Sequence, residues 1–160
     1  MKQQHNIAPI FDQNSRVLVL GSFPSVKSRE NGFYYFHPQN RFWRVLERLY
    51  GSDELKTVGQ KREFLLRHNI ALWDVISSCD VTGSSDSSIK NVVLNDVSMI
   101  TDAADIKAVF CNGAAAYRLY CRYLENEVGM SAVQLPSTSP ANAAFSLDRL
   151  CEEWKAITEY

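Results

Sequence analysis

Four short apolar runs, each closed by a turn-forming or polar residue, constrain this chain more than any other feature. They are Arg16 to Leu20 before Gly21, Ile70 to Trp73 before Asp74, Ile106 to Cys111 before Asn112-Gly113, and Ser131 to Leu135 before Pro136. Continuous apolar runs of this length suit strands buried on both faces, as in a parallel sheet. Helical patterns separate or follow them. Pro38 to Tyr50 carries Phe42, Val45, Leu46 and Leu49 at helical spacing, with Gly51 as its stop. Thr57 to His68 presents Phe64 and Leu65, Asn95 to Ala104 is weaker, Ala114 to Asn126 is rich in alanine and tyrosine, and Ala143 to Ile157 aligns Leu147, Leu150, Trp154 and Ile157. Strand and helix thus alternate four times. The pattern predicts an α/β fold: a three-layer α/β/α sandwich around a central four-stranded, mostly parallel sheet. A length of 160 residues predicts one domain, residues 1–160. Residues 1–15 read as irregular at first, with Ile7 to Phe11 packing an edge, and Asp74 to Lys90 reads as a loop because Val81 to Ser88 is nearly all small and polar.

With 46% hydrophobic and 22% charged residues, the composition is that of an ordinary soluble protein. No apolar run is long enough to span a membrane, and Met1 to Asn6 lacks the apolar stretch of a signal peptide, so a cytoplasmic protein is expected, nucleoid-associated if bacterial. Cys79, Cys111, Cys121 and Cys151 form no CxxC pair and are expected as free thiols, Cys111 in the core. The histidines His5, His37 and His68 suggest no metal site, and no metal or cofactor is expected. A net charge of -1 argues against a polycation that coats DNA, but a local basic face is enough to bind nucleic acid. Lys27, Arg29, Arg41, Arg44 and Arg48 cluster beside aromatic residues; the competing reading is a solvated helix face.

In sheets of this kind ligands sit outside the carboxyl ends of the strands. The segments there are Gly21–Gln39, Asp74–Lys90, Asn112-Gly113 and Pro136–Asn142, and they should converge on one crevice. The first is long, aperiodic and aromatic, which marks a binding loop. There is no GxxxxGK[ST], no GxGxxG after a strand and no GxSxG elbow, so nucleotide hydrolysis, dinucleotide redox chemistry and serine hydrolysis lack their usual signatures.

The motifs that are present occur in a fixed order. Gly21-Ser-Phe-Pro24 follows the first run, Tyr34-Tyr-Phe-His-Pro-Gln-Asn-Arg-Phe-Trp43 leads into the first helix, Leu72-Trp-Asp-Val75 ends the second run, and Leu135-Pro-Ser-Thr-Ser-Pro-Ala-Asn142 follows the fourth. This ordered set resembles the uracil-DNA glycosylase superfamily, and within it the deoxyinosine (hypoxanthine) DNA glycosylase branch. The resemblance implies a monofunctional glycosylase that takes a deaminated base out of double-stranded DNA and hydrolyses its N-glycosidic bond. It implies Tyr35 as the stacking aromatic, with Phe36 as its possible replacement, and places Phe23 where many members carry a water-positioning Asp or Asn. Leu135 likewise stands where many begin the second motif with His or Asn.

Neither Phe23 nor Leu135 can do those polar jobs. Asn40 is the leading substitute as catalytic residue, its amide oxygen accepting from a water near the anomeric carbon and its nitrogen donating to the base or sugar; its competing reading is a helix cap. Asp74 is the second candidate to orient water, or else a cap. Asn112 could read the base edge or serve as a turn residue. His37 could donate to base or phosphate, or to its own loop. Phe23 completes the base-binding set. Ser22, Ser25, Ser137, Thr138, Ser139 and Asn142 are expected at phosphates or the minor groove, aided by backbone N–H groups at the start of the last helix. A monomer is expected. Two other functions are weighed against this one: a uracil or mismatched-pyrimidine glycosylase, and a non-catalytic nucleotide- or DNA-binding α/β module.

Overall fold

A computed structural model describes residues 2–160. In chain order the elements are β1 (Lys2–Gln4), β2 (Val17–Gly21), α1 (Val26–Asn31), α2 (Phe42–Tyr50), α3 (Val58–Arg67), β3 (Ile70–Asp74), β4 (Ile76–Asp80), β5 (Lys90–Leu94), α4 (Ser98–Ala103), β6 (Ala108–Asn112), α5 (Ala114–Tyr123), α6 (Glu125–Val128), β7 (Ala132–Leu135) and α7 (Leu147–Trp154). The four expected strands form one parallel sheet in the order β3-β2-β6-β7. Every residue of β2 and β3 is buried. That is what a continuous apolar run achieves when both of its faces are covered. The chain moves one way from β2 to β3 and the other way from β3 to β6 and β7. Right-handed crossovers therefore put α2 and α3 on one face and α4 and α5 on the other. After β7 the chain returns to the first face, where Trp154 of α7 meets Phe42 of α2 edge to face, ring centroids 5.8 Å apart. The reversal of direction beside β2 creates the switch point at which such sheets bind ligands.

A second sheet was not expected. The strands β1, β4 and β5 pair antiparallel in the order β1-β4-β5. This corrects the reading of 74–90 as a loop: only the part after Asp80 lacks strand structure, and Lys90 already begins β5. Ile76-Ser-Ser-Cys-Asp80 hides its strand character because Ser78 is buried beside Ile76 and Cys79, so polarity does not track exposure. The polar start of the chain acquires structure in the same sheet, through Lys2 opposite Asp80 and Gln4 opposite Ser78. Ile10 does pack an edge, as an isolated bridge to Leu72.

Several helix boundaries also move, for local reasons. Ser25 accepts from the Ser28 N–H and Gly32 adopts φ 66°, which cuts the short α1 out of the long opening loop. Gly51 ends α2 as expected, at φ 62°. The last helix starts at Leu147 rather than Ala143, because Ser146 is its cap and Phe145 is tied into the preceding loop. Its first-turn N–H groups therefore do not reach the loop Pro136–Asn142 that they were expected to support.

Candidate active site

The segments after β2, β3, β6 and β7 meet, as the alternation required, around a cavity of about 680 Å³. That is a volume typical of small-molecule sites. Gly21 lies at its floor. A Cβ built there would stand 2.3 Å from Asp74 Oδ1 and 2.9 Å from the Tyr35 hydroxyl, so only glycine leaves room for both oxygens.

Asp74 is 3% exposed and neither caps a helix nor stands alone. His5 Nε2 lies 2.8 Å from Asp74 Oδ2, and the His5 side chain is itself 3% exposed. The His5 Nδ1 accepts from the Ile7 N–H at 3.2 Å, which leaves Nε2 as the N–H that donates to the carboxylate. The antiparallel pairing of β1 with β4, continued by His5 N–H donating to Ser77 O, delivers this histidine. Sequence reasoning passed over it because the partners lie 69 positions apart and the pairing strand is only three residues long.

Tyr35 sits at φ 51°, a left-handed conformation unusual for an aromatic residue. Such strain persists only where surrounding packing holds it. Here Phe42 does so, stacked on the Tyr35 ring at 4.2 Å and 26°. The Tyr35 hydroxyl is buried and without a hydrogen-bond partner among the described residues. Burial, and then the Asp74 carboxylate, push its pKa far above the ordinary phenol value; Asn112 acts the other way but makes no hydrogen bond of normal geometry to it. The hydroxyl is therefore a proton donor at any working pH. Tyr35 lines the cavity, whereas Phe36 does not: it is 36% exposed and lies under the Lys61 ammonium. Phe23 also lines the cavity, edge-on to His5 at 6.2 Å, with the Arg29 guanidinium over its ring.

Asn40, Asn112 and Thr138 form a chain of hydrogen bonds. Asn112 Nδ2 donates to Thr138 Oγ1 at 3.0 Å, its Oδ1 accepts from the Thr138 N–H at 3.0 Å, and the Thr138 hydroxyl donates to Asn40 Oδ1 at 2.9 Å. Asn40 Oδ1 accepts a second time, from the Phe42 N–H at 2.9 Å. These bonds orient both amides and correct the placement of Thr138. The Asn40 oxygen is occupied, so its free Nδ2 is what it offers the cavity. Asn112 lines the cavity with its amide held at both ends by Thr138, which leaves its second Nδ2 hydrogen uncommitted to that residue. Thr138 is 0% exposed and cannot enter a minor groove; it fixes Asn40 instead. Thr138→Val should leave the Asn112 amide without an acceptor, cost about 1–3 kcal/mol in urea unfolding, and slow the reaction by letting Asn40 turn. Unchanged stability and rate would remove this chain of bonds from the account.

The serines divide. Ser137 Oγ accepts from the Ser139 N–H and Ser139 Oγ from the Ala141 N–H, so both keep a hydroxyl hydrogen to give at the cavity mouth. Ser25 is occupied as the α1 cap, and Ser22 donates to Asp86 Oδ1 at 2.8 Å. Asp86, on the serine-rich loop, also lines the cavity and was not anticipated. Asn142 braces its own loop by donating to Ser137 O, and Arg41 clamps that loop through Phe145 O, Ser139 O and Asn142 O, which removes Arg41 from the free basic face. His37 lines the cavity, and its Nδ1 accepts from the Gln39 N–H at 3.1 Å.

Residues 8–159 match the family described as the uracil DNA glycosylase superfamily. The chain belongs to that superfamily. A hypoxanthine DNA glycosylase of Methanosarcina acetivorans is 35% identical over 150 residues, covering 92% of this chain and 93% of the relative. One from Methanosarcina barkeri is 39% identical over 115 residues, covering 71% and 72%. A solution NMR structure from Methanosarcina acetivorans, described as that of a candidate uracil DNA glycosylase, superposes with a TM-score of 0.84 at 32% identity, covering 99% of this chain and 97% of the other. Residues of each segment that carries the resemblance line the cavity, Gly21 to Pro24, Tyr34, Tyr35, His37, Asn40, Asp74 and Ser137 to Ala141, and Thr82 with Ser84 to Ser87 add a wall from the serine-rich loop.

Proposed function

We propose that this protein is a monofunctional DNA glycosylase that releases hypoxanthine from deoxyinosine in double-stranded DNA, acting as a monomer in the cytoplasm. The observation that carries the reading is the cavity at the carboxyl ends of the parallel strands, lined by the ordered motifs of this chain; likeness over most of the chain to the hypoxanthine glycosylases of Methanosarcina supports it. The chemistry such an enzyme needs can be assigned to residues. The base is drawn from the stack into the cavity, between the Tyr35 side and Phe23. Ser137 and Ser139 hold backbone phosphates at the mouth. As the glycosidic bond breaks, the sugar becomes cation-like and the base gains electron density. Asn40 Nδ2, fixed by two bonds to its oxygen, donates to the departing base without reorganising. Phe23 cannot activate that water, so the rate rests on positioning and electrostatics more than on a strong base. Among the described residues that line the cavity there is no lysine, which agrees with hydrolysis without a Schiff-base step.

The test uses duplexes carrying inosine, uracil or xanthine, with alkali to cleave abasic sites. Product on inosine is expected. Product on uracil alone would favour a uracil or mismatched-pyrimidine glycosylase, and DNA binding without product on any of the three would favour a non-catalytic module.

A further inference from the structure

We infer that Asp74, clamped by His5, and the Tyr35 hydroxyl together read the lactam edge of the extracted base, Asp74 Oδ1 accepting its ring N–H and Tyr35 donating to the adjacent carbonyl. The inference rests on the glycosylase reading and adds how that site tells a deaminated base from an amino base.

Two unmet groups share the cavity floor. Asp74 is buried, yet only Oδ2 is engaged; among the described residues no donor reaches Oδ1. The Tyr35 hydroxyl is buried with no hydrogen-bond partner among the described residues. Both stand against Gly21, at the 2.3 Å and 2.9 Å separations from its notional Cβ already given. Each oxygen costs stability if left dry and unpaired, and a ligand that satisfies both relieves that cost. What is missing is a donor beside an acceptor, close together in one plane. Hypoxanthine has that pair at N1–H and its 6-oxygen. Adenine, from which it arises by deamination, presents the reverse order, a ring acceptor beside an amino donor. With its glycosidic bond held in place, adenine would set its N1 lone pair against the carboxylate.

His5 makes the reader polar in a defined sense. Its Nδ1 is committed to the Ile7 N–H, so Nε2 must donate. That bond fixes which oxygen faces the cavity and draws charge from Oδ1, so the base meets an acceptor rather than a bare anion. It also determines what a substitution would do. In Asp74→Asn the amide oxygen must turn to His5, leaving an NH₂ toward the base, where it opposes N1–H. Guanine shares the lactam edge and is held back instead by the cost of leaving its stronger pair.

The experiment compares single-turnover release of hypoxanthine with that of unsubstituted purine, which has an acceptor at N1 and no 6-oxygen, each opposite the same base. The wild-type preference for hypoxanthine is expected to shrink about 100-fold in Asp74→Asn, because a mismatched buried hydrogen-bonding group rejects strongly. Tyr35→Phe deletes only an unpartnered hydroxyl, so it should fold at least as well as wild type, and should reduce the preference about tenfold. It keeps the question open to an answer even if Asp74→Asn does not fold. A preference unmoved in Tyr35→Phe, or an equal fall on both bases in a folded Asp74→Asn, would overturn the edge-reading role while leaving the glycosylase reading intact. Wild-type protein that releases no hypoxanthine would overturn both.

Discussion

Asn40→Ala is expected to lower single-turnover release of hypoxanthine by about 10²–10³-fold, the usual loss when one preorganised donor is removed from a reacting centre. The side chain has a structural duty as well. Its oxygen receives the Phe42 N–H at the first turn of α2 and the hydroxyl of buried Thr138. Both donors lose their acceptor in alanine, so the same substitution should cost about 1–3 kcal/mol of stability. Rate loss could then be blamed on a loosened loop. Asn40→Asp separates the two duties. A carboxylate keeps the acceptor for both donors and caps a helix well, but it offers no N–H to the cavity. It should fold near wild-type stability and still lose activity on the scale of alanine. Wild-type activity in folded Asn40→Asp would show that the free amide N–H does not take part. The cap position of α2 falls on Arg41 rather than Asn40, and the bond from the Phe42 N–H to the Asn40 oxygen, just ahead of that cap, is what aims the nitrogen.

Gly21→Ala should be nearly as damaging for a different reason. The backbone at Gly21 does not need a positive φ; the objection is purely one of space. The added methyl would lie 2.3 Å from Asp74 Oδ1 and 2.9 Å from the Tyr35 hydroxyl. Neither neighbour can yield at little cost. Asp74 is anchored by His5, and the Tyr35 ring is stacked on Phe42. Overpacking of this kind costs about 1–3 kcal/mol, and displacement of the floor by about 1 Å should reduce release about 100-fold. Thermal unfolding and single-turnover assays report the two effects. Gly59→Ala is the control: a Cβ there meets only Thr57 Oγ1 at 3.9 Å, and a helical glycine-to-alanine change should be neutral or stabilising by up to about 1 kcal/mol. Gly21→Ala with wild-type activity would mean that the base does not use this floor.

The alternating apolar runs made the parallel sheet legible, because β2, β3 and β6 are buried on both faces and so carry no polar positions to blur the signal. The second sheet escaped notice for the opposite reason. Of its strands β1 is three residues long, β1 and β5 are largely exposed, and β4 buries a serine, so lysine, asparagine and serine stand where strands usually carry branched residues. The site followed the same division. Tyr35, Asn40 and the Ser137 to Ser139 loop were marked by ordered motifs, and they do share one cavity. What each contributes was not marked. Thr138 reads in sequence as a groove-entering threonine and is an internal strut; Asn112, expected at the base edge, stands on the cavity wall tied to that strut.

By itself, then, the sequence determined which strands pair in parallel and which four segments stand at their carboxyl ends. Those depend on local periodicity and on the single hand of the crossovers, both written in neighbouring residues. Tertiary structure alone decided which atoms remain free there. A side chain's unused donor or acceptor is known only once every partner is in place, and the partners come from far away: His5 for Asp74, Thr138 for Asn40, Phe42 for Tyr35. The cavity's chemistry is what those distant bonds leave over — an amide N–H, a carboxylate oxygen and a phenol O–H.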